Sequence, residues 1–234
     1  MSVTECYFPN GTRVTSSAGY VLSYSTIDNR LEPREGLYLK LAQDFAGIGG
    51  DARYMRTTGE ARYYQPLLPD SDIIGMLKVH GGNITGLGMP VAISDNFFKG
   101  GETVRGFAPL GWGPRDTTAG VPASGGGGVA IGGKNYIAGT AEATFPLPML
   151  PPDFGLRGAV FADAGMLFGV DSPACTTLGT PCTFVNDTAI RSSVGGSIIW
   201  ASPFGQIRLD VAQALTKMPY DKTQMFRFGA GAAF

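Results

Sequence analysis

The sequence predicts an all-β fold, an antiparallel transmembrane β-barrel with about nine strands in this chain. Three observations predict it. Polar and apolar residues alternate with a period of two along most of the 234 residues. The alternating segments are about ten residues long, the length that a tilted strand needs to cross a bilayer. The connections are alternately short and long, as in membrane barrels whose turns lie on one side and whose loops lie on the other.

The composition excludes several other classes of protein. A chain with 44% hydrophobic and 16% charged residues is not disordered. No apolar run reaches the roughly 18 residues of a membrane-spanning helix. A net charge of -1, with both signs interspersed, offers no basic surface, so we expect no nucleic-acid partner. The start, MSVTECYFPNG, lacks the regions of a signal peptide, so the chain is either not exported or not a complete precursor.

Nine segments carry the alternation, and each of them predicts a strand. The predicted strands lie near 13–25, 37–46, 51–65, 72–83, 135–146, 155–168, 189–201, 206–215 and 224–234. Short connections fall near 30–36, 66–71, 147–154 and 202–205. The connections near 84–134, 169–188 and 216–223 are generally longer.

The early segments combine aromatic residues near their ends with charges along one face. In the segment near 51–65, Arg56, Glu60 and Arg62 share a face opposite apolar and small residues. Isolated charges of this kind require that this face of the strand contact water. His80 falls on the predicted interior face of its own strand. Aromatic residues suit the boundary between lipid and water. Those near segment ends are Tyr20, Tyr24, Tyr63, Tyr64, Phe145, Phe168 and Trp200.

The middle segments each place one acidic residue on their polar face. In NYIAGTAEATF, Glu142 alternates with Ala141 and Ala143. In LRGAVFADAGM, Asp163 alternates with small apolar neighbours in the same way. The segments IRSSVGGSIIW and QIRLDVA continue the pattern with arginine, serine and aspartate on the polar face.

The last segment, QMFRFGAGAAF, is the most apolar. Phe226, Phe228 and Phe234 fall on one face, whereas Gly229 and Gly231 fall on the other. An apolar strand that ends in an aromatic residue is a liability in water, but it suits a lipid-facing position. A soluble antiparallel sheet would also alternate. Strand length, the aromatic residues at segment ends and this last segment together favour the membrane.

The cysteines, the histidine and a glycine-rich run carry weaker signals. Cys175 and Cys182 lie in a loop-like run, where they form either a small disulfide in an oxidising medium or two unpaired thiols, and Cys6 is left over. The cysteines lack CxxC spacing and the single histidine is distant in sequence, so we expect no metal site. The run 124–134 lacks the GxxxxGK[ST] pattern of a phosphate-binding loop, and we interpret it as a flexible part of the long connection.

Four motifs together resemble those of one family. They are NFFKGGETVRGF, GGKNYIAGTAEATFPLP, GLRGAVFADAG and FRFGAGAAF. From about residue 20 to the C terminus, the sequence resembles the BamA-like outer-membrane protein-assembly insertases, which are also described as bacterial surface antigen barrels. The resemblance implies that the connection near 84–134 folds into the lumen. Its motif, Val104, Arg105, Gly106 and Phe107, would bring the arginine to acidic residues of neighbouring strands, which match Glu142 and Asp163 here.

The residues themselves give a physical reason for this arrangement. Glu142 and Asp163 lie on the polar faces of strands that are consecutive in sequence, so we expect these strands to pair. Two carboxylates in a narrow lumen repel each other, and a guanidinium with five donors can bridge both. Gly106 would let the backbone pass close to the wall, with Phe107 packed beside the pair. The alternatives are a solvated Arg105, and an acid/base pair of the two carboxylates, for which no nucleophile or substrate pocket is predicted.

The resemblance also implies an architecture. Family members have sixteen strands, preceded by periplasmic domains that receive substrates. Residues 1–234 would be the C-terminal part of such a barrel, without the periplasmic domains. The alternative is a small barrel that closes on itself or by pairing chains. The strand that ends in Phe234 would carry the insertion signal. It would also form one side of a seam, the junction between the first and last strands of the barrel, and Gly229 and Gly231 would weaken that junction.

The implied function is the folding and insertion of β-barrel proteins in the bacterial outer membrane. The implied partners are outer-membrane lipid, unfolded barrel clients and accessory assembly lipoproteins. We expect no enzymatic activity, cofactor or ATP. Other hypotheses remain: a passive outer-membrane pore, a secretion barrel of the same superfamily, an inactive fragment, or a soluble β-sheet binding module.

Overall fold

Nine long antiparallel strands form a single sheet in the computed structural model. The structure describes residues 13–30, 32–68, 71–118, 127–147, 155–171, 176–177, 180–181, 183–202 and 205–231. The strands are β1 Ser17–Ser25, β2 Gly36–Ala46, β3 Tyr54–Pro66, β4 Ile74–Gly86, β5 Asn135–Pro146, β6 Leu156–Phe168, β7 Arg191–Ser202, β8 Gly205–Thr216 and β9 Phe226–Gly231. The predicted all-β fold class is therefore confirmed.

The order of strands in the sheet follows the order in sequence, from β1 to β9. Each strand pairs antiparallel with the next one. Among the described residues β1 and β9 are the two edges of this sheet, and they do not pair with each other. The sheet is therefore open along the line where a closed barrel would join its first and last strands.

The strand boundaries differ from the predicted ones by a few residues. The strand predicted near 51–65 begins later, at Tyr54, because the glycines before it adopt positive φ angles in a turn. The strand predicted near 72–83 continues to Gly86. The last strand covers Phe226–Gly231, and Phe234 lies outside the described residues. Such shifts are common because alternation continues beyond the last ladder hydrogen bond.

The two faces of the sheet have the predicted characters. Leu77 on β4 lies opposite Tyr63 on β3 and Ala141 on β5, and its side chain is largely exposed on the outer, apolar face. On the inner face, Lys40 lies opposite Glu60 across the β2 and β3 ladder. Opposite charges in facing positions stabilise a strand pair. The alternation thus separates an outer face suited to lipid from an inner, polar face.

The connection between β4 and β5, residues 87–134, packs against the inner face. It contains the single helical element of the described residues, a 3₁₀ turn at Ile93–Asp95. Two-residue strands at Arg115–Asp116 and Val129–Ala130 pair with each other, and the first also pairs with Phe184–Val185 of the β6–β7 connection. Thr176–Thr177 and Thr180–Pro181 form one further short ladder.

Part of the glycine-rich run is packed rather than flexible. Ile131 is fully buried, and its backbone N–H donates to the Pro114 carbonyl at 3.1 Å. Gly133 forms an antiparallel bridge with Phe97. The interpretation of 124–134 as a flexible segment is therefore wrong for residues 127–134, because an apolar side chain inside the run gains free energy by burial.

Several predictions fall on residues that the structure does not describe. Cys6, Cys175 and Cys182 are among them, so the disulfide remains a prediction. Within the described ranges, no cluster of three or more His, Cys, Asp or Glu residues is placed to hold a metal ion. None of the described helical residues forms a helix long and apolar enough to cross a membrane.

Candidate functional site

The motif Val104 to Phe107 lies in a tight turn of the β4–β5 connection. The backbone N–H groups of Thr103 and Val104 both donate to the Gly100 carbonyl at 3.0 Å. Val104 and Phe107 are buried, at 0% and 2% exposure. They pack with Trp112 of the same connection, Tyr136 of β5 and Leu167 of β6. This apolar cluster fixes the turn against the wall and leaves Arg105 free to reach the polar inner face.

Arg105 contacts both predicted carboxylates. Its Nε donates to Asp163 Oδ2 at 2.7 Å, and its Nη2 donates to Asp163 Oδ1 at 2.8 Å. Its backbone N–H also donates to Asp163 Oδ2, at 3.0 Å. Its Nη1 donates to Glu142 Oε2 at 2.6 Å. This is the two-pronged geometry in which a planar guanidinium binds one carboxylate while it still reaches a second.

An aromatic ring completes the environment of Arg105, but it is not the ring expected from the sequence. The guanidinium carbon lies 3.3 Å from the ring centroid of Phe161 on β6. Phe107 packs in the apolar cluster instead, so its predicted place beside the ion pair is wrong. The physical reason is register, because Phe161 lies on the inner face two residues before Asp163 and directly opposite Glu142. A guanidinium over an aromatic face gains a cation–π attraction.

A second arginine, Arg208 on β8, binds the same glutamate. Its Nη1 donates to Glu142 Oε1 at 3.0 Å, and its Nη2 donates to Glu142 Oε2 at 2.6 Å. Its Nε donates to Asp210 Oδ1 at 2.6 Å, and Ser197 Oγ also donates to that oxygen. The sequence placed Arg208 on the polar face without predicting this contact. Strands β5 and β8 are three positions apart, about 14 Å in a flat sheet, so the contact requires the sheet to curve.

The network is buried and its acceptors are occupied. The side chains of Arg105, Glu142 and Asp163 are 11%, 6% and 1% exposed, so Arg105 is not a solvated loop arginine. Each oxygen of the two carboxylates accepts at least one hydrogen bond. Burial alone would lower the pKa of Arg105, but the hydrogen bonds and charges of Asp163 and Glu142 raise that pKa above its ordinary value. The arrangement suits anchoring rather than proton transfer, which would need an acceptor free to take a proton.

Gly106 lies where the arginine turn approaches β8. Its φ is +89°, and an added Cβ would lie 3.4 Å from Ala212 Cβ and 3.3 Å from the Ala214 nitrogen of β8. Glycine adopts this backbone conformation without strain, whereas an L side chain does not. The missing side chain therefore permits both the turn and the close approach to β8.

Replacing Gly106 with alanine is expected to destabilise the docked loop by two additive effects. Backbone strain contributes about 1–2 kcal/mol, and the added Cβ, 3.3 Å from the Ala214 nitrogen, forces the turn or β8 to shift by a few tenths of an ångström. Gly49 is a matched control, because it also has a positive φ, +71°, but nothing lies within 4 Å of an added Cβ. Urea unfolding of both variants in lipid vesicles measures the difference. Equal losses for Gly106→Ala and Gly49→Ala would show that close approach to the wall has no energetic role.

The residues predicted to form the seam lie on β9, the last strand of the sheet. The side chains of Phe226 and Phe228 are 63% and 68% exposed on the outer face. Gly229 lies opposite Arg208, and Gly231 lies opposite Gln206 on β8. The structure thus places Gly229 beside the arginine network, whereas the two phenylalanines face away from it.

The fold and the site together define a membrane β-barrel wall with an arginine-bearing loop held against its inner face. Residues 9–234 match the Omp85 superfamily domain, and the chain belongs to that superfamily.

Several known proteins are similar to this chain. The outer membrane protein assembly factor BamA of Neorickettsia risticii is 36% identical over 225 residues, which cover 96% of this chain and 28% of that protein. The human sorting and assembly machinery component 50 homolog is 30% identical over 165 residues, 68% of this chain and 33% of that protein. A crystal structure of BamA from Haemophilus ducreyi lacking POTRA domains 1–3 matches with a TM-score of 0.74 and 21% identity, over 91% of this chain and 41% of that one. The chain therefore spans about a third or less of the length of these curated relatives.

Proposed function

We propose that this chain takes part in the folding and insertion of β-barrel proteins in the bacterial outer membrane. The observation that carries the proposal is the 36% identity to an outer membrane protein assembly factor over 96% of the chain. The name of that Neorickettsia relative also supports an outer-membrane location. The anchored arginine loop adds a physical feature beyond the fold itself.

The proposed architecture is the C-terminal part of a larger barrel. Residues 1–234 would supply nine strands of a sixteen-stranded wall together with its lumen loop, and the periplasmic substrate-receiving domains would lie in other parts of a longer protein. Two facts support this assignment. The chain covers 28% of the Neorickettsia relative, and β1 and β9 are unpaired with each other in the described sheet.

The proposed mechanism uses the free edge of β9. The N–H and C=O groups on the outer side of an edge strand can pair with an incoming strand. Gly229 and Gly231 weaken this edge because glycine contributes no side-chain packing. Phe226 and Phe228 contact lipid, and Phe234 would end the insertion signal. Since hydrogen bonds to one partner replace hydrogen bonds to another, strand exchange along this edge requires neither ATP nor a cofactor.

The arginine network would hold the loop in place while that edge opens. Arg105 binds strands β5 and β6, and Arg208 connects β5 with β8. The contacts of Arg105 lie away from the free edge, so client pairing leaves them intact, whereas Arg208 lies on β8 opposite Gly229 of the edge strand. We propose that the carboxylates act as anchors and that the chain is not an enzyme. The relatives' names as assembly factors agree with this assignment.

The proposed partners follow from the same assignment. Unfolded barrel proteins would be the clients, and outer-membrane lipid would contact the apolar outer face. Accessory assembly lipoproteins are a further proposed partner, by resemblance alone. No nucleic-acid partner is proposed, because the net charge of -1 provides no basic surface.

An assay of client folding tests the proposal. The chain is refolded into lipid vesicles, a urea-denatured outer-membrane barrel protein is added, and the heat-modifiable folded band of that client is followed with time. We expect the client to fold several-fold faster than in empty vesicles. Arg105→Ala should lose the acceleration, whereas the exposed Arg53→Ala should keep it.

Each other outcome assigns a different function. A rate equal to that of empty vesicles overturns the proposal for this chain and assigns the activity to a longer protein. An ion conductance together with client folding that does not change in Arg105→Ala identifies a passive pore. A chain that stays monodisperse without detergent or lipid is a soluble binding module.

A further inference from the structure

Arg191, at the start of β7, is a buried arginine with 1% exposure. Its Nε donates to Asp221 Oδ2 at 3.0 Å, and its Nη2 donates to Asp221 Oδ1 at 3.4 Å and to the Tyr220 hydroxyl at 3.2 Å. Its Nη1 donates to Asp187 Oδ1 at 2.6 Å and to the Ala189 carbonyl at 2.8 Å. This group lies outside the network of Arg105.

Asp221 is as deeply buried as Arg191, since its side chain is 0% exposed. Besides Arg191, its Oδ2 accepts the Met218 backbone N–H at 2.8 Å, and its own N–H donates to the Met218 carbonyl at 3.0 Å. Asp221 therefore closes the turn of the β8–β9 connection and ties that turn to β7. Removal of Arg191 would leave Asp221 buried without its ion-pair partner, which is strongly unfavourable, whereas removal of Asp221 would leave the buried Arg191 with Asp187 as its remaining carboxylate.

The residues after Asp221 pair with the arginine loop. The Ala108 N–H donates to the Lys222 carbonyl at 2.9 Å, and the Lys222 N–H donates to the Gly111 carbonyl at 2.7 Å. The Gln224 N–H donates to the Gly106 carbonyl at 3.0 Å. Phe107 and Thr223 form an antiparallel bridge between these hydrogen bonds. Residues 106–111 thus run beside the segment that leads into β9 and share three backbone hydrogen bonds with it.

We infer that the Arg191–Asp221 pair is a positioning element that couples the arginine loop to the start of β9. The arginine loop and the segment that leads into β9 form one unit. Arg105 fixes one end of this unit to β5 and β6, and Asp221 fixes the other end to β7. Residues 106–111 and 222–224 lie between these two anchors and share backbone hydrogen bonds. They open and close as one unit, so the start of β9 cannot shift without moving the loop.

The contact at Gly111 shows how closely the two segments approach. An added Cβ on Gly111 would lie 2.6 Å from the Lys222 carbonyl oxygen. A β-carbon at that distance is incompatible with the hydrogen bond that the Lys222 N–H donates to the Gly111 carbonyl. The pairing therefore depends on direct backbone contact. The coupling concerns the folded chain alone, and it holds whether or not the chain assembles other barrels.

Hydrogen exchange of the chain in lipid vesicles, followed by mass spectrometry, tests the coupling. The amides of Ala108, Lys222 and Gln224 report on the shared hydrogen bonds. In Asp221→Asn we expect all three to exchange at least about tenfold faster, because sub-global opening exposes them together. Amides in the centres of β5 and β6 should keep their wild-type rates. Asp187→Asn is the matched control, with a side chain that is 30% exposed, and it should change the rates by less than about threefold.

The outcomes separate coupling from independent anchoring. Acceleration at Lys222 and Gln224 with wild-type exchange at Ala108 would overturn the inference, because the loop would then be held independently of the segment that leads into β9. Unchanged exchange at all three amides would also overturn it. If Asp221→Asn fails to fold, the milder Arg191→Lys, which keeps the charge but loses the planar fork, is measured against the same expectations. Client folding does not enter this measurement, so its result is independent of the proposed function.

Discussion

Replacing Arg105 with alanine is expected to lower the free energy of unfolding in lipid vesicles by about 3–5 kcal/mol. The variant leaves Asp163 with a 1% exposed side chain and no cation, and it removes one of the two arginines from Glu142. It also uncovers the ring of Phe161. Urea unfolding, followed by the heat-modifiable band, measures the loss.

A charge-conserving variant distinguishes charge from geometry. Arg105→Lys keeps the cation but cannot bind Asp163 through two nitrogens while it reaches Glu142. We therefore expect its free energy of unfolding to lie between those of wild type and Arg105→Ala. The exposed Arg53→Ala should change stability by less than about 0.5 kcal/mol. Wild-type stability of Arg105→Ala would show that the loop does not depend on the ion pairs.

Replacing Trp112 with alanine is expected to have a similarly large effect, about 3–5 kcal/mol. Trp112 is 2% exposed, belongs to the apolar cluster with Val104 and Phe107, and donates from Nε1 to the Gly100 carbonyl at 3.2 Å. The variant leaves a cavity between the loop and the wall while Arg105 keeps its partners. Limited proteolysis of the β4–β5 connection, together with urea unfolding, measures the detachment of the loop.

Leu110→Ala is the control for this cavity. Leu110 belongs to the same connection, but its side chain is 50% exposed, so the change should cost less than about 0.5 kcal/mol. Trp112→Phe retains most of the apolar volume, so its loss of stability should lie between those of Leu110→Ala and Trp112→Ala. Equal protease sensitivity of Trp112→Ala and Leu110→Ala would contradict a role of the buried cluster in docking the loop.

Alternation was sufficient to predict the wall of the barrel. The period of two assigned Glu142, Asp163 and Arg208 to the polar face, and the register places all three on the inner face. Alternation gave no information on the packing inside the long connection, which has no regular period. The burial of Ile131 and the short strand at Arg115–Asp116 depend on contacts with distant segments, and local sequence does not encode these contacts.

The candidate site was predicted in part. The contact of Arg105 with both carboxylates could be anticipated, because strands consecutive in sequence pair and a resembling motif supplied the loop. The binding of Arg208 to Glu142 could not, because it depends on the curvature of a sheet across three strands. The role of Phe161 was missed for a similar reason. Alternation places Phe161 on the same face as Asp163, but the register that sets its ring opposite Glu142 depends on strand pairing, which the sequence does not specify.

A double-mutant cycle between Arg105 and Asp163 tests most directly whether the ion pair holds the loop against the wall. The unfolding free energies of Arg105→Ala, Asp163→Asn and the double variant are measured in lipid vesicles. We expect a coupling energy of about 2 kcal/mol or more, since the Arg105 side chain donates two charge-assisted hydrogen bonds to Asp163. The distant pair of Arg53 and Asp163 should be additive within about 0.5 kcal/mol. A coupling energy near zero for Arg105 and Asp163 would contradict the anchored loop.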